Sequence, residues 1–346
     1  MKVTDNWRTL HDLISEIYKL QPWSYLGETD IFGVHSPISD QKYFISIMGS
    51  DDTLHALSAY MGTKALSQVW ALEESGNPDY GETLIIPHFM LTFAAEEEVD
   101  ANQLKILRSI KKNFGYTDEW PEVKCILACQ FPTDPDETQL EDLIIILEQA
   151  LNVCQRAKRD PDLIFSDEYD MDEYLMRENT RTKEGNTWTD KNRKIKLPVI
   201  TPKAKWTRKD IDELISLPAS SSVLQLHFQV LPLQIKGEGD IIYFPVTVIL
   251  TNKKTGHIEN NQLLIPEPDF EAILELIPAI ALDFIKALGF RPRCIEVRNP
   301  LLFEMFYVPL KLASVKLVLK ERLVSVEDGI NQLIESANEQ KKENPY

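Results

Sequence analysis

The sequence predicts two domains, each of α+β or α/β class, and three observations carry that reading. Apolar residues recur at helical spacing in some stretches and alternate in others, in mixed order along the chain. Its 346 residues exceed the roughly 100–200 of a single domain. Near residues 161–205 the periodic pattern gives way to charge. The expected plan is an N-terminal mixed α+β sheet domain over 1–160, a charged junction over 161–205, and a C-terminal domain over 206–346.

Composition narrows the function classes. A formal net charge of −17 repels polyanions, which disfavours nucleic acid and anionic membrane as partners. Four scattered cysteines are too few for a disulfide framework, so a reduced, cytoplasmic setting is expected. The opening residues Met1–Trp7 lack the apolar core of a signal peptide. The most apolar helical stretch, near Phe270–Leu288, is interrupted by Glu275, Pro278, Asp283 and Lys286, so no membrane span is expected.

In the first domain, Leu10, Leu13, Ile14 and Ile17 mark a helix over Asn6–Leu20. Two β-rich segments, Leu26–His35 and Lys42–Met48, flank the turn residues Ser36-Pro37-Ile38-Ser39-Asp40 and read as a hairpin. Asp51-Asp52 would open a helix through Leu54, Leu57, Tyr60 and Met61, continuing past Gly62 to Leu72. A strand at Thr83–Ala94, a helix at Asp100–Phe114, a strand at Val123–Phe131 and a helix at Thr138–Ala157 complete the domain.

The junction begins acidic, from Asp160 to Glu173, and turns basic from Lys191 to Lys209. Lys183-Glu184-Gly185-Asn186 has the chemistry of a hairpin turn, but charge patterning favours a solvated linker. The basic half is a candidate nucleic-acid contact.

After a short helix near Arg208–Leu217 the second domain reads strand, strand, strand, helix, strand, helix, strand, helix. Leu224, Leu226, Phe228 and Val230 alternate with Gln225, His227 and Gln229; further strands follow at Ile242–Leu250 and His257–Ile265. Asp269 caps the next helix and Gly289 ends it. After a strand at Arg293–Arg298, Asn299-Pro300 starts another helix. The last strand is Val315–Lys320, and Ser325 with Asp328 has the spacing of a capping box for the last helix.

Two resemblances follow from these residues. The βββαβαβα order resembles a ribonuclease H-like core in its sequence of elements. The runs Trp23-Ser24-Tyr25-Leu26-Gly27-Glu28-Thr29-Asp30-Ile31-Phe32-Gly33-Val34, Tyr43-Phe44-Ile45-Ser46-Ile47-Met48-Gly49 and Ala59-Tyr60-Met61-Gly62-Thr63-Lys64-Ala65-Leu66 resemble the opening of an uncharacterised bacterial two-domain family. That resemblance implies a bacterial, cytoplasmic origin and brings no activity.

The chemistry is sparse. A two-metal nuclease needs several converging carboxylates. The ribonuclease H-like order offers Glu296 and, at the last helix, Glu327 or Asp328, but the first strand has no acid. Glu296 and Asp328 are thus the catalytic candidates of a degenerate metal-dependent hydrolase or nuclease. Cys125 and Cys129, four residues apart on one strand, would lie roughly 13 Å apart and read as buried thiols, not a metal pair. The acidic run Ser166–Glu173 lacks the glycine of a calcium loop. His257-Ile258-Glu259 is at most half a metal site. With no P-loop, dinucleotide fingerprint or zinc helix, neither a metal nor a cofactor is expected. Glu28 and Asp30, between Trp23 and Phe32, are candidate ligand contacts in the first hairpin. The leading expectation is a non-catalytic binding or adaptor protein, its protein partner or small ligand left open.

Overall fold

The computed structural model describes residues 4–50, 54–75, 80–111, 119–164, 172–182, 185–198, 206–237, 239 and 241–343. The chain divides into two units: Met1–Asn77, Ile86–Leu127 and Pro132–Val199 form the first, and Pro78–Ile85, Ala128–Phe131 and Ile200–Tyr346 the second. Both combine helices with sheets, as the mixed periodicities predict.

The elements of the first half are α1 (Asp5–Leu20), β1 (Phe32–His35), β2 (Lys42–Met48), β3 (His55–Met61), α2 (Gly62–Ser75), α3 (Tyr80–Thr83), β4 (His88–Ala94), α4 (Ala101–Ser109), β5 (Trp120–Ile126), α5 (Glu137–Ala157), β6 (Glu173–Thr182) and β7 (Gly185–Lys194). All but α3 belong to the first unit. Its sheet runs β5-β4-β3-β2-β1-β6-β7, antiparallel except where β1 meets β6. Because side chains alternate along β2, Tyr43, Ile45 and Ile47 enter one core while Phe44 enters another. The larger core takes Trp7, Leu10 and Ile14 of α1 and Leu143, Ile146 and Ala150 of α5. Each such large aliphatic side chain contributes about 1.5–3 kcal/mol on burial. At α5's start Asp136 and Gln139 form a complete capping box. On the opposite face Leu66 of α2 joins Phe44, Tyr174 and Met176. Gly33 pairs with Met176 across β1 and β6, and a Cβ at Gly33 would lie 2.1 Å from the Met176 sulfur. Only glycine lets that side chain cross the strand.

Four expectations for this half are corrected. Residues 55–61 form strand β3, not a helix from Asp51-Asp52, whose residues lie outside those described. β3 is flanked by β2 and β4, and its Leu57, Tyr60 and Met61 fall at helical spacing, so a run this short cannot be told from a helix segment by periodicity alone. The strand expected at Thr83–Ala94 starts only at His88, after Pro87, and that expected to reach Phe131 stops at Ile126. The junction is no solvated linker where it is described. β6 and β7 pair over their full length and extend the first sheet, and Trp188 of β7 packs on its core. The turn residues Lys183 and Glu184 lie outside the described residues.

The second unit adds α6 (Arg208–Ser216), β8 (Val223–Val230), β9 (Ile235–Lys236), β10 (Ile242–Tyr243), β11 (Val246–Asn252), β12 (Ile258–Leu264), α7 (Phe270–Leu288), β13 (Cys294–Val297), α8 (Pro300–Leu312), β14 (Lys316–Leu319) and α9 (Val324–Glu343). Its main sheet runs β12-β11-β8-β13-β14, with β12, β11 and β8 antiparallel and β8, β13 and β14 parallel. Leu224, Leu226, Phe228 and Val230 share one core with α7 and α8, while Ile249 lies in a second with Val326 and Ile330 of α9.

Asp269 accepts from the Ala272 N–H at 2.9 Å, Gly289 ends α7 with φ +70, and Asn299 accepts from the Leu301 N–H at 2.8 Å before Pro300. The expected Ile242–Leu250 strand is broken near Pro245 into β10 and β11. The expected capping box is not made, because α9 begins at Val324 and puts Ser325 inside its first turn. The Ser325 hydroxyl instead donates to the Lys253 carbonyl at 3.5 Å.

Two pieces of the first half complete this unit. The backbone at Gly81 in α3 lies so close to β8 that a Cβ would be 2.6 Å from the Val230 carbonyl oxygen. The Cys129 N–H donates to the Leu84 carbonyl at 2.7 Å, and Cys129 accepts from the Phe244 N–H at 2.8 Å. Phe131 donates to the Ile242 carbonyl at 2.9 Å.

Candidate functional site

Glu296 sits on β13 directly across from Gln225 of β8, whose other neighbour is Thr251 of β11. This row lies on the face opposite the Leu224–Val230 core, and Glu296 is only 6% exposed. Lys253, in the turn after β11, brings its Nζ to 2.7 Å from Glu296 Oε1, and Gln225 Nε2 donates to Oε2 at 2.9 Å. Burial pushes the Glu296 carboxyl up, but the hydrogen bonds from Lys253 and Gln225 and the charges of Lys253 and Lys320 hold it below its ordinary range. Both carboxylate oxygens therefore already accept a hydrogen bond, and the Lys253 ammonium beside them opposes the approach of a metal cation.

The other acid candidates do not join it. Asp328 is exposed on α9. Glu327 pairs with Arg322 at 2.7 Å, and that pairing holds its carboxyl low. Among the described residues no three His, Cys, Asp or Glu side chains converge as metal ligands. His257 is exposed, while Glu259 accepts from Asn252 Nδ2 at 2.9 Å.

The ligand candidates of the first hairpin stand beside a cavity of about 460 Å³ in the first unit. Trp23, Tyr25, Gly27, Gly49, Ser50 and His55 contribute to its wall. Asp30 builds that wall from behind: its Oδ2 accepts from the Gly27 N–H at 2.7 Å. Glu28 is exposed, and its carbonyl accepts from the Ser46 hydroxyl at 2.8 Å. Neither carboxylate lines the cavity.

The side chain that does carry chemistry there is His55. Its ring stacks on Trp23 with centroids 4.5 Å apart and planes 17° from parallel. Its Nδ1 lies 2.9 Å from Glu119 Oε1, and Tyr18 donates to Glu119 Oε2 at 3.1 Å. Gly49, at φ +118, keeps its backbone close to this ring, since a Cβ would be 2.8 Å from His55 Cδ2. A histidine fixed by a carboxylate and stacked on an aromatic ring gives the cavity a rigid, polar wall. Sequence reasoning missed it because His55 lay in a supposed helix and its partners are distant along the chain.

The basic block from Lys191 to Lys209 is largely committed to local pairs where it is described. Lys191 and Arg193 both bond Glu178, at 2.9 and 2.8 Å, and Arg193 above all pulls that carboxyl down to about 2. Arg208 and Lys209 pair with Asp212 and Glu213 on α6. Lys203 and Lys205 lie outside the described residues, as does most of the acidic run from Ser166.

Cys125 is buried on β5, whereas Cys129 lies past the end of that strand in a left-handed conformation. They do not share one strand face, as expected from the sequence, because β5 ends at Ile126. Burial pushes both thiols up to about 12, and Cys154 likewise.

Comparison with known families agrees with the two-unit architecture. Residues 7–177 match a domain of unknown function, DUF7309, and residues 210–334 match a second, DUF6930. The chain is thus a two-domain protein of an uncharacterised family, built from one domain of each kind. No curated protein matches it. No helix among the described residues is long and apolar enough to cross a membrane.

Proposed function

We propose that this chain is a non-catalytic binding or adaptor protein of the bacterial cytoplasm, its second domain a ribonuclease H-like scaffold without the reaction. The observation that carries this reading is the Lys253–Glu296 ion pair. A two-metal reaction needs carboxylates open to two cations about 3.5–4 Å apart. Here the carboxylate on β13 is held by an ammonium, and its neighbour on β8 is Gln225, an amide. The strand order β12-β11-β8-β13-β14, three antiparallel strands followed by two parallel ones, supports the ribonuclease H-like reading. The family resemblance of the opening residues supports a bacterial origin, and four free cysteines support a reducing compartment.

The ligand site of this reading is the cavity beside His55, and the ligand class is a small polar molecule that packs against the wall formed by Trp23 and His55. Thermal stability against divalent metals, nucleotides and small polar metabolites tests it. The expected result is a ligand-dependent rise in melting temperature that His55→Ala abolishes and Glu296→Gln keeps. A metal-dependent rise accompanied by hydrolytic activity, both lost in Glu296→Gln, would overturn the reading in favour of a hydrolase.

A further inference from the structure

β14 is an edge of the second unit's main sheet, with β13 on one side only. Lys316 and Lys320 donate their N–H groups to the carbonyls of Arg293 and Val297, at 3.0 and 2.8 Å. Alternation along the strand therefore turns the N–H groups of Leu317 and Leu319 toward the open side. An edge of this kind is a template for another strand.

Helix α8 packs against β14 and leaves apolar side chains exposed. Tyr307, Val308 and Leu312 are 44%, 60% and 53% exposed, and Leu319 on the strand is 47% exposed. Phe303 stacks on Tyr307 with ring centroids 5.5 Å apart, so the strip begins with an aromatic pair. The local charge opposes that of the whole chain. Residues 291–322 hold seven basic and three acidic side chains in a protein of net charge −17. One of those three, Glu296, is paired with Lys253, and one of the seven, Arg322, with Glu327.

We propose that the β14 edge and the outer strip of α8 dock an acidic, extended peptide segment of a partner protein, which adds a strand to the sheet. Main-chain hydrogen bonds to the open edge hold it. Its apolar side chains lie on the Tyr307–Leu312 strip, and its carboxylates meet Lys316 and Lys320. A second copy of this chain fits less well, because antiparallel self-pairing of β14 sets the lysines of the two copies against each other. A nucleic acid would meet the same cations but makes no use of an open strand edge. The surface and the cavity beside His55 have no residue in common, so failure here leaves the small-ligand reading standing, and the reverse.

The test is fluorescence anisotropy with the full chain and a labelled peptide of alternating valine and glutamate, about ten residues long. A peptide of alternating valine and lysine and a labelled oligo-dT serve as competing probes. The acidic peptide should bind, and more weakly as salt rises. Leu319→Pro removes an outward N–H while sparing the bonds to β13, and should weaken binding about tenfold. Val308→Asp leaves the strand intact and should weaken it too, which covers the case in which the proline variant misfolds. The double variant Lys316→Glu with Lys320→Glu should prefer the basic peptide. The proposal is overturned if the acidic peptide binds no better than the basic one, if Val308→Asp leaves its binding unchanged, or if oligo-dT is the preferred probe.

Discussion

Arg177 on β6 and Asp190 on β7 face each other across the hairpin ladder, with Nη1 2.6 Å from Oδ1. Arg177 is 8% exposed and spends its other nitrogens on Gln149 Oε1 of α5, at 3.1 and 2.9 Å. Asp190 also accepts from Arg156 of α5. One carboxylate thus pins the hairpin to the long helix beneath it. Burial works against its charge, but the two arginines hold its carboxyl below the ordinary range.

Replacing Asp190 with alanine leaves a buried guanidinium without its counter-ion. The expected cost is about 2 kcal/mol of unfolding free energy, read from urea midpoints at neutral pH. A variant as stable as the parent would show that the hairpin is not held through this residue.

Glu178 gives the same hairpin an acid sensitivity. Its folded pKa of about 2 lies below the ordinary 4.5. The stabilisation it brings is fully present above about 4.5 and disappears as pH falls toward 2. Melting temperature should therefore decline across that window, and Glu178→Gln should flatten part of the decline. An identical pH profile in the variant would refute the assignment.

Lys253→Met leaves Glu296 buried without its cation. The variant should be less stable by about 2 kcal/mol at pH 7. Its deficit should shrink in acid, where a protonated Glu296 no longer needs the ammonium. Paired thermal melts at neutral and acidic pH measure this, and a deficit that grows in acid would contradict it.

Gly33→Ala places a methyl group against the Met176 sulfur. Overpacking of this sort costs about 1–3 kcal/mol. Met176→Ala should recover part of the loss when the two are combined, giving a non-additive double-mutant cycle. Simple additivity would mean that the strand pair relaxes by another route.

What the sequence made legible follows its local chemistry. Helices α7 and α8 could be placed because Asp269, Gly289 and Asn299-Pro300 are terminal signals, and each performs its capping role. β3 was not legible, since its Leu57, Tyr60 and Met61 fall at helical spacing within a run too short for periodicity to decide. The junction misled for a different reason: charges that read as solvated pair across β6 and β7, and pairing between strands cannot be seen along one. Glu296 stood out as an acid in an apolar strand. Its engagement with Lys253, 43 residues away, became visible only in the fold. His55 and Glu119, 64 residues apart, left no local pattern.

The second unit's reliance on Pro78–Ile85 and Ala128–Phe131 bears on how the protein comes into being. As the chain leaves the ribosome, these two pieces emerge well before the strands they complete. They must wait, with Cys129 and Leu84 unsheltered, until β8 and β10 have been made. A gene fragment starting at residue 206 would never receive them. It would express a sheet whose Val230 and Phe244 main-chain positions lack their natural neighbours. Dissection of this protein into halves by a single cut therefore yields an incomplete second half, and functional work on it calls for the whole reading frame.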